Sequence, residues 1–132
     1  MTQEEKNLLL KDLCARIPYK TMVECSIKSG VAMDVVLCPS HITELIDDLI
    51  IIKPYLRPME SMTEEECKEL GELPATIENI GETLPNIPYY IEVARPEQLD
   101  WLNKNMFDYR GLIEKNLALE APNGMYDLKN NP

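Results

Sequence analysis

The chain has 132 residues, a formal net charge of −10 at pH 7 and an apolar content of 45%. These values predict one globular domain over residues 1–132, with a polar tail at about 127–132. The negative charge disfavours a general nucleic-acid or anionic-membrane binder, and no apolar run approaches the roughly 18 residues of a membrane span.

The first predicted element is a helix near the start of the chain. Thr2 and Glu5 have the spacing of a capping box, and Leu9 and Leu13 recur at helical spacing. Pro18 ends the helix because the residue before a proline avoids the helical region. The start of the chain is acidic and polar, unlike a signal peptide, so we expect a cytoplasmic protein.

A β-hairpin and a second helix are expected next. Residues 22–28 and 33–38 have strand-like content and flank a Ser-Gly turn. Ser40 is the predicted N-cap of a helix that carries Ile42, Leu45, Ile46 and Leu49 on one stripe. Residues 49–52 form a continuous apolar run that predicts a buried strand.

Residues 53–66 predict a joint between that strand and an acidic helix. Pro54 and Pro58 each fix φ and favour extended backbone before them. Thr63 and Glu66 then have the spacing of a second capping box, which predicts a helix over residues 63–70. Residues 71–88 are rich in glycine and proline and are expected to be mostly loop.

The last predicted elements are a strand over residues 88–94 and a helix that begins at Pro96. Leu99, Leu102 and Met106 form its inward stripe. Together the elements predict an α+β fold in which a small antiparallel sheet packs with three or four helices in a single domain.

The sequence contains no recognisable catalytic motif, and we expect no catalytic, cofactor-binding or metal-binding residues and no cofactor. Cys38 and His41 are three residues apart and leave a Cys–His enzyme, or a metal site with Cys25, as an alternative. The apolar run around Cys38 is expected to raise the pKa of its thiol. The four cysteines are too widely spaced for a CxxC pair and are expected to be free thiols.

Two segments are candidates for interaction with a protein partner. Residues 60–82 contain eight glutamates and one lysine, which suits either a solvated surface or a DNA mimic that inhibits a basic DNA-binding protein. The segment around Trp101 combines aromatic side chains with Arg110, which suits either an interface or a local lock in which Arg110 pairs with Asp108 or a helix C-terminus. The candidate interaction surface comprises Glu64, Glu65, Glu69, Glu72, Trp101, Phe107, Tyr109 and Arg110.

Several stretches together resemble a family of small proteins without an assigned activity from gut Bacteroidales genomes, often encoded in or near prophage-like regions. They are LLLKDLCARIPY at 8–19, KPYLRPM at 53–59, SMTEEE at 61–66, DWLN at 100–103, FDYRGLIEK at 107–115 and LALEAP at 117–122. The resemblance implies a bacterial or phage source and a single domain, and it implies no activity. Relatives often carry a histidine where this chain has Asn105 and Met106.

The sequence therefore favours a non-enzymatic, cytoplasmic domain that acts by binding another protein, as a homo-oligomer or as an accessory factor of phage or mobile-element origin. We expect no direct binding to nucleic acid or to a membrane, because the charge balance is strongly negative.

Overall fold

The computed structural model describes residues 1–27, 30–70 and 96–126, which adopt an α+β fold. The described helices are α1 (Gln3–Arg16), α2 (Pro39–Ile46), α3 (Glu64–Leu70) and α4 (Pro96–Lys104). The described strands are β1 (Met22–Ile27), β2 (Met33–Val36), β3 (Ile50–Leu56) and β4 (Leu119–Glu120). The predicted fold class is confirmed.

The four strands form one sheet in the order β2-β1-β3-β4. β1 is antiparallel to β2 and to β3, whereas β4 is parallel to β3. The sheet is therefore mixed rather than wholly antiparallel, because β4 follows α4 and runs in the same direction as β3. The β1–β2 hairpin that the sequence predicts is present.

One face of the sheet carries the main apolar core. Val23 on β1 lies opposite Pro54 on β3, and Cys25 lies opposite Ile52, so these side chains share the face that packs on α1 and α2. The buried side chains of this core are Leu9, Leu13, Val23, Leu37, Leu45, Ile50, Ile52, Leu56, Leu112, Leu117 and Ala118. A second cluster, built from Leu70, Leu102, Phe107 and Tyr109, joins α3 to α4.

The predicted helix starts are largely confirmed. The Thr2 hydroxyl accepts a hydrogen bond from the Glu5 amide at 3.1 Å, and the Glu5 carboxylate accepts one from the Thr2 amide at 2.8 Å. α4 begins at Pro96 as expected. The Ser40 prediction is wrong: Cys38 is the N-cap of α2, because Pro39 occupies the first helical position, where its missing N–H costs nothing.

β3 is longer than the sequence indicates. The strand continues through Pro54 to Leu56, so the predicted joint is confined to the residues after it. A proline is tolerated there because the hydrogen bonds of an antiparallel ladder alternate along the strand. Met22 directs its backbone groups toward β3, so the next pair, Val23 and Pro54, requires no hydrogen bond.

The hydroxyl of Tyr126 completes the ladder between β1 and β3. It accepts a hydrogen bond from the Met22 amide at 2.8 Å and lies 2.9 Å from the Tyr55 carbonyl oxygen. Burial raises the pKa of Tyr126 to about 12, so the phenol keeps its proton at neutral pH. A side chain from the far end of the described chain thus replaces a backbone partner.

The expected loop over residues 71–88, the expected strand over residues 88–94 and the polar tail over residues 127–132 lie outside the described residues. None of the helices in the described part of the chain is long and apolar enough to cross a membrane.

Replacing Tyr126 with phenylalanine is expected to lower the free energy of unfolding by about 1–3 kcal/mol, because the Met22 amide then loses its partner between two strands. Urea unfolding monitored by circular dichroism measures the change. Tyr19→Phe is the control, with an expected change of less than about 0.5 kcal/mol. Equal stabilities of the two variants would contradict the role assigned to Tyr126.

Candidate functional site

Three of the predicted interaction residues lie in the interior. Phe107 and Tyr109 are fully buried and Arg110 is 8% exposed, so their assignment to a surface is wrong. Trp101 is half-buried and stacks on Phe107 with ring centroids 5.7 Å apart. The segment turns inward because it pairs with the end of β3: the Arg57 amide donates to the Met106 carbonyl at 2.7 Å.

Asp12 is the centre of a buried ionic cluster. Its carboxylate accepts hydrogen bonds from Arg16 at 2.8 and 3.1 Å and from Arg110 at 2.8 Å. Arg16 also donates to the Phe107 carbonyl at 2.6 Å. Arg110 therefore stabilises the fold, as the local-lock alternative holds, but its partner is Asp12 on α1. Neither Asp108 nor a helix end takes this role.

Tyr109 and Asp108 complete this cluster. The guanidinium carbons of Arg16 and Arg110 lie 5.4 and 4.7 Å from the centroid of the Tyr109 ring, within the range of cation–π attraction. The Asp108 carboxylate accepts from the amides of Leu112 and Ile113, and burial raises the pKa of this carboxyl. The cluster holds α1 against the segment after α4.

A second ion pair joins β3 to α3. Arg57 donates two hydrogen bonds of 2.8 Å to the Glu66 carboxylate and stacks over Phe107, with its guanidinium carbon 4.1 Å from the ring centroid. Glu66 also accepts from the Thr63 amide at 3.1 Å, which confirms the second capping box. Burial alone would raise the pKa of Glu66, but the hydrogen bonds from Arg57 and Thr63 lower it.

The acidic candidate residues divide between surface and interior. Glu64, Glu65 and Glu69 are exposed on α3, whereas Glu66 is turned inward to Arg57. Glu72 lies outside the described residues, as does the rest of the acidic segment after Leu70. The described carboxylates of this segment therefore do not all belong to one exposed row, which a DNA mimic requires.

Cys38 and His41 meet at the start of α2. The Cys38 sulfur lies 3.0 Å from the Ser40 hydroxyl and 3.6 Å from His41 Nδ1. The same Nδ1 accepts a hydrogen bond from the Cys38 amide at 3.1 Å, so its lone pair caps the helix and is not directed at the thiol proton. This geometry supports a capping role for His41 over that of a general base.

The pKa of Cys38 shifts in the opposite direction to the sequence expectation. The Ser40 hydroxyl and the amides of the first helical turn lower the pKa of this thiol, because β2 ends before Cys38 and leaves it at a helix N-terminus. Burial raises the pKa of Cys25. No group of three potential metal ligands occurs among residues 1–27, 30–70 and 96–126.

The exposed apolar side chains gather at one end of the sheet. We call this surface the apolar end, and its residues are between 49% and 86% exposed: Met1, Ile27, Val31, Met33, Ile46, Leu49 and Ile51. The hairpin register places Ile27 opposite Ile50, so the hairpin tip and the start of β3 lie side by side. Val36, also exposed, lies at the opposite end of β2.

A polar contact fixes the two helices at the apolar end. Lys6 on α1 donates to the Asp48 carboxylate at 2.8 Å and to the Ile46 carbonyl at 3.0 Å. This contact brings the N-terminus of α1 beside the turn that links α2 to β3. The apolar end is therefore formed from three separate parts of the chain, and the hydrogen bonds of Lys6 hold two of these parts together.

Sequence reasoning missed this surface. The residues of the apolar end have the composition of ordinary core positions. Periodicity placed Ile46 and Leu49 on one helical stripe, and the apolar run 49–52 was predicted to be a buried strand, yet Ile46, Leu49 and Ile51 are exposed. The one available signal was the excess of apolar residues on both sides of the hairpin turn, where polar residues are usual.

No protein-family model matches the chain, and no curated protein and no solved structure matches it. The candidate site therefore rests on the geometry of this chain.

Replacing Asp12 with asparagine is expected to lower the free energy of unfolding by about 3–5 kcal/mol, because two buried guanidinium groups lose their shared counter-charge. Chemical denaturation of the variant and of Lys11→Gln, an exposed neighbour on α1, gives the comparison. The control should change by less than about 0.5 kcal/mol. A loss below about 1 kcal/mol in Asp12→Asn would contradict a central role for the cluster.

Cys38 is expected to react with iodoacetamide at pH 7 roughly ten times faster than Cys25, because a lowered thiol pKa increases the reactive thiolate fraction. Peptide mass mapping over time measures both rates in the folded protein. Ser40→Ala should slow the alkylation of Cys38 and leave the alkylation rate of Cys25 unchanged. Equal rates at Cys38 and Cys25 would show that the helix start does not activate the thiol.

Proposed function

We propose that this protein is a non-enzymatic interaction domain that binds a second protein through the apolar end. The observation that carries the proposal is the position of the exposed apolar side chains, of which seven large ones lie at one end of the sheet. By strand alternation Ile27 and Ile51 point to opposite faces of the sheet, so the apolar end includes side chains from both faces. Large exposed groups of apolar side chains on a folded domain commonly mark interaction sites.

A partner gains affinity only if it covers much of the apolar end. Covering a half-exposed aliphatic side chain contributes on the order of 1 kcal/mol, and association costs about 4–15 kcal/mol before any contact is gained. A partner therefore has to cover most of the seven side chains at once, together with polar groups at the rim. This requirement favours a protein surface over a small ligand.

The buried clusters support the same proposal because they stabilise the frame that carries the surface. The Asp12 cluster and the Arg57–Glu66 pair both lie away from the apolar end, at the other end of β3 and against α4. The aromatic and arginine residues are thus occupied inside the fold. The role of an accessory factor of bacterial or phage origin is proposed on the family resemblance alone.

The test compares two variants that differ in which end of the sheet they alter. Val31→Asp/Met33→Asp introduces charges at the apolar end, where both side chains are mostly exposed, and Val36→Asp introduces one at the opposite end. Affinity purification from bacterial lysate with stoichiometric recovery, and sedimentation velocity of the purified protein, measure binding to other proteins and self-association.

The double variant is expected to weaken binding at least tenfold, about 1.4 kcal/mol, while Val36→Asp binds like the wild type. Circular dichroism of each variant confirms that it is folded. Binding that survives in the double variant, or a wild-type protein that stays monomeric and recovers no partner, would contradict the proposal.

A further inference from the structure

We propose that the open edge of β3 binds an extended apolar peptide segment of the partner protein, with a carboxylate of that segment held between Lys53 and Lys115. The inference rests on the proposed function, because it specifies the chemistry of the partner at a groove that adjoins the apolar end. It adds hydrogen bonds between the partner and the backbone of β3, which binding through exposed side chains alone would not need.

Among the described residues the edge is open, because β4 is much shorter than β3. β1 pairs with β3 from Ile50 to Pro54, whereas β4 pairs only with Tyr55 and Leu56. On the β4 side, residues 50–53 have no neighbouring strand in the described part of the chain. An unpaired strand edge is a template for the addition of another strand.

The alternation of strand hydrogen bonds identifies the backbone groups on the open edge. The Leu56 carbonyl accepts from the Ala121 amide at 2.8 Å on the β4 side, and Arg57 bonds to Met106 and Asp108 on the opposite side. Alternate residues of a strand direct their backbone groups to the same side. The amide and carbonyl of Ile52, four residues before Leu56, therefore face the open edge.

A groove of about 410 Å³ lies along this edge. Residues 115–117 form its far wall, and its interior is lined by apolar side chains: Leu9, Leu45, Ile50, Ile52 and Leu117. Asn116 adopts a positive φ of 60° shortly before β4, and its side chain accepts a hydrogen bond from Lys53 on β3. The groove therefore combines an apolar floor with a strand edge, which matches an extended peptide whose alternate side chains point into the floor.

The charges around the groove indicate which charged group the ligand carries. Glu5 accepts from the Thr2 amide at 2.8 Å and Asp48 accepts from Lys6 at 2.8 Å, so both carboxylates of the rim are engaged. Lys53 donates to the neutral Asn116 side chain at 3.3 Å and lies opposite Glu24 in the β1–β3 register, while the charge of Lys115 helps to lower the pKa of Glu5. Neither lysine lies within ion-pair distance of a carboxylate among the described residues. Two lysines at one wall favour a carboxylate on the ligand.

The test uses a synthetic hexapeptide of alternating valine and threonine in two forms, one with a free C-terminal carboxylate and one with a C-terminal amide. Nuclear magnetic resonance measures the exchange rate of the Ile52 amide proton during titration with each form. We expect the carboxylate peptide to slow exchange at Ile52 at least tenfold, with little change at Lys53, whose amide already faces β1.

The double variant Lys53→Gln/Lys115→Gln is expected to bind the carboxylate peptide about tenfold more weakly, with the affinity of the amide peptide, because both cations of the wall are removed. Lys11→Gln, an exposed lysine of α1 outside the groove, is the matched control and should bind both peptides like the wild type. Equal binding of the two peptides to the wild type, or an Ile52 amide that neither peptide protects, would overturn the inference.

These outcomes are separate from those of the proposed function. Loss of partner binding in Val31→Asp/Met33→Asp with no protection at Ile52 would retain the interaction surface and reject the strand-addition site. Partner binding that survives in that variant would reject the apolar end as the binding surface. The exchange rate of the Ile52 amide would still show whether a peptide binds in the groove.

Discussion

The fold depends on a buried carboxylate that is shared by two arginines. Asp12 and Arg16 belong to α1, whereas Arg110 lies almost a hundred residues later, after α4. An isolated buried charge is costly, so each member of this cluster requires the others to be in place. The cluster therefore fixes the relative position of α1 and the segment after α4, and this position in turn orients the core face of the sheet.

β3 is the element on which these separate parts converge. Along one side its partners are β1, then the hydroxyl of Tyr126, then the backbone of Met106 and Asp108. The Arg57 side chain adds a charged link to Glu66 on α3 and a cation–π contact with Phe107. Polar contacts of high geometric specificity are thus concentrated at the C-terminal half of β3, whereas the N-terminal half has an edge with no neighbouring strand in the described ranges.

This division would separate stability from the proposed binding within one strand. The half of β3 near Arg57 is surrounded by paired charges and stacked rings that leave little room for a ligand. The half near Ile51 lies beside exposed apolar side chains, a groove and two lysines. An edge that is unpaired among the described residues and lies beside a rigid support would suit the proposed partner, because binding would then require little additional ordering of the protein.

The sequence by itself determined the local elements, because their signals depend on neighbouring residues: the capping boxes at Thr2 and Thr63, the hairpin and the helix from Pro96. Only the tertiary structure decided which side chains are buried. Phe107 and Arg110 look like interface residues until Asp12 and Arg57 are found beside them, and Leu49 looks like a core residue until its exposure is seen. The physical reason is that an ion pair between distant residues, or an unpaired strand edge, is a property of contacts that sequence periodicity does not contain.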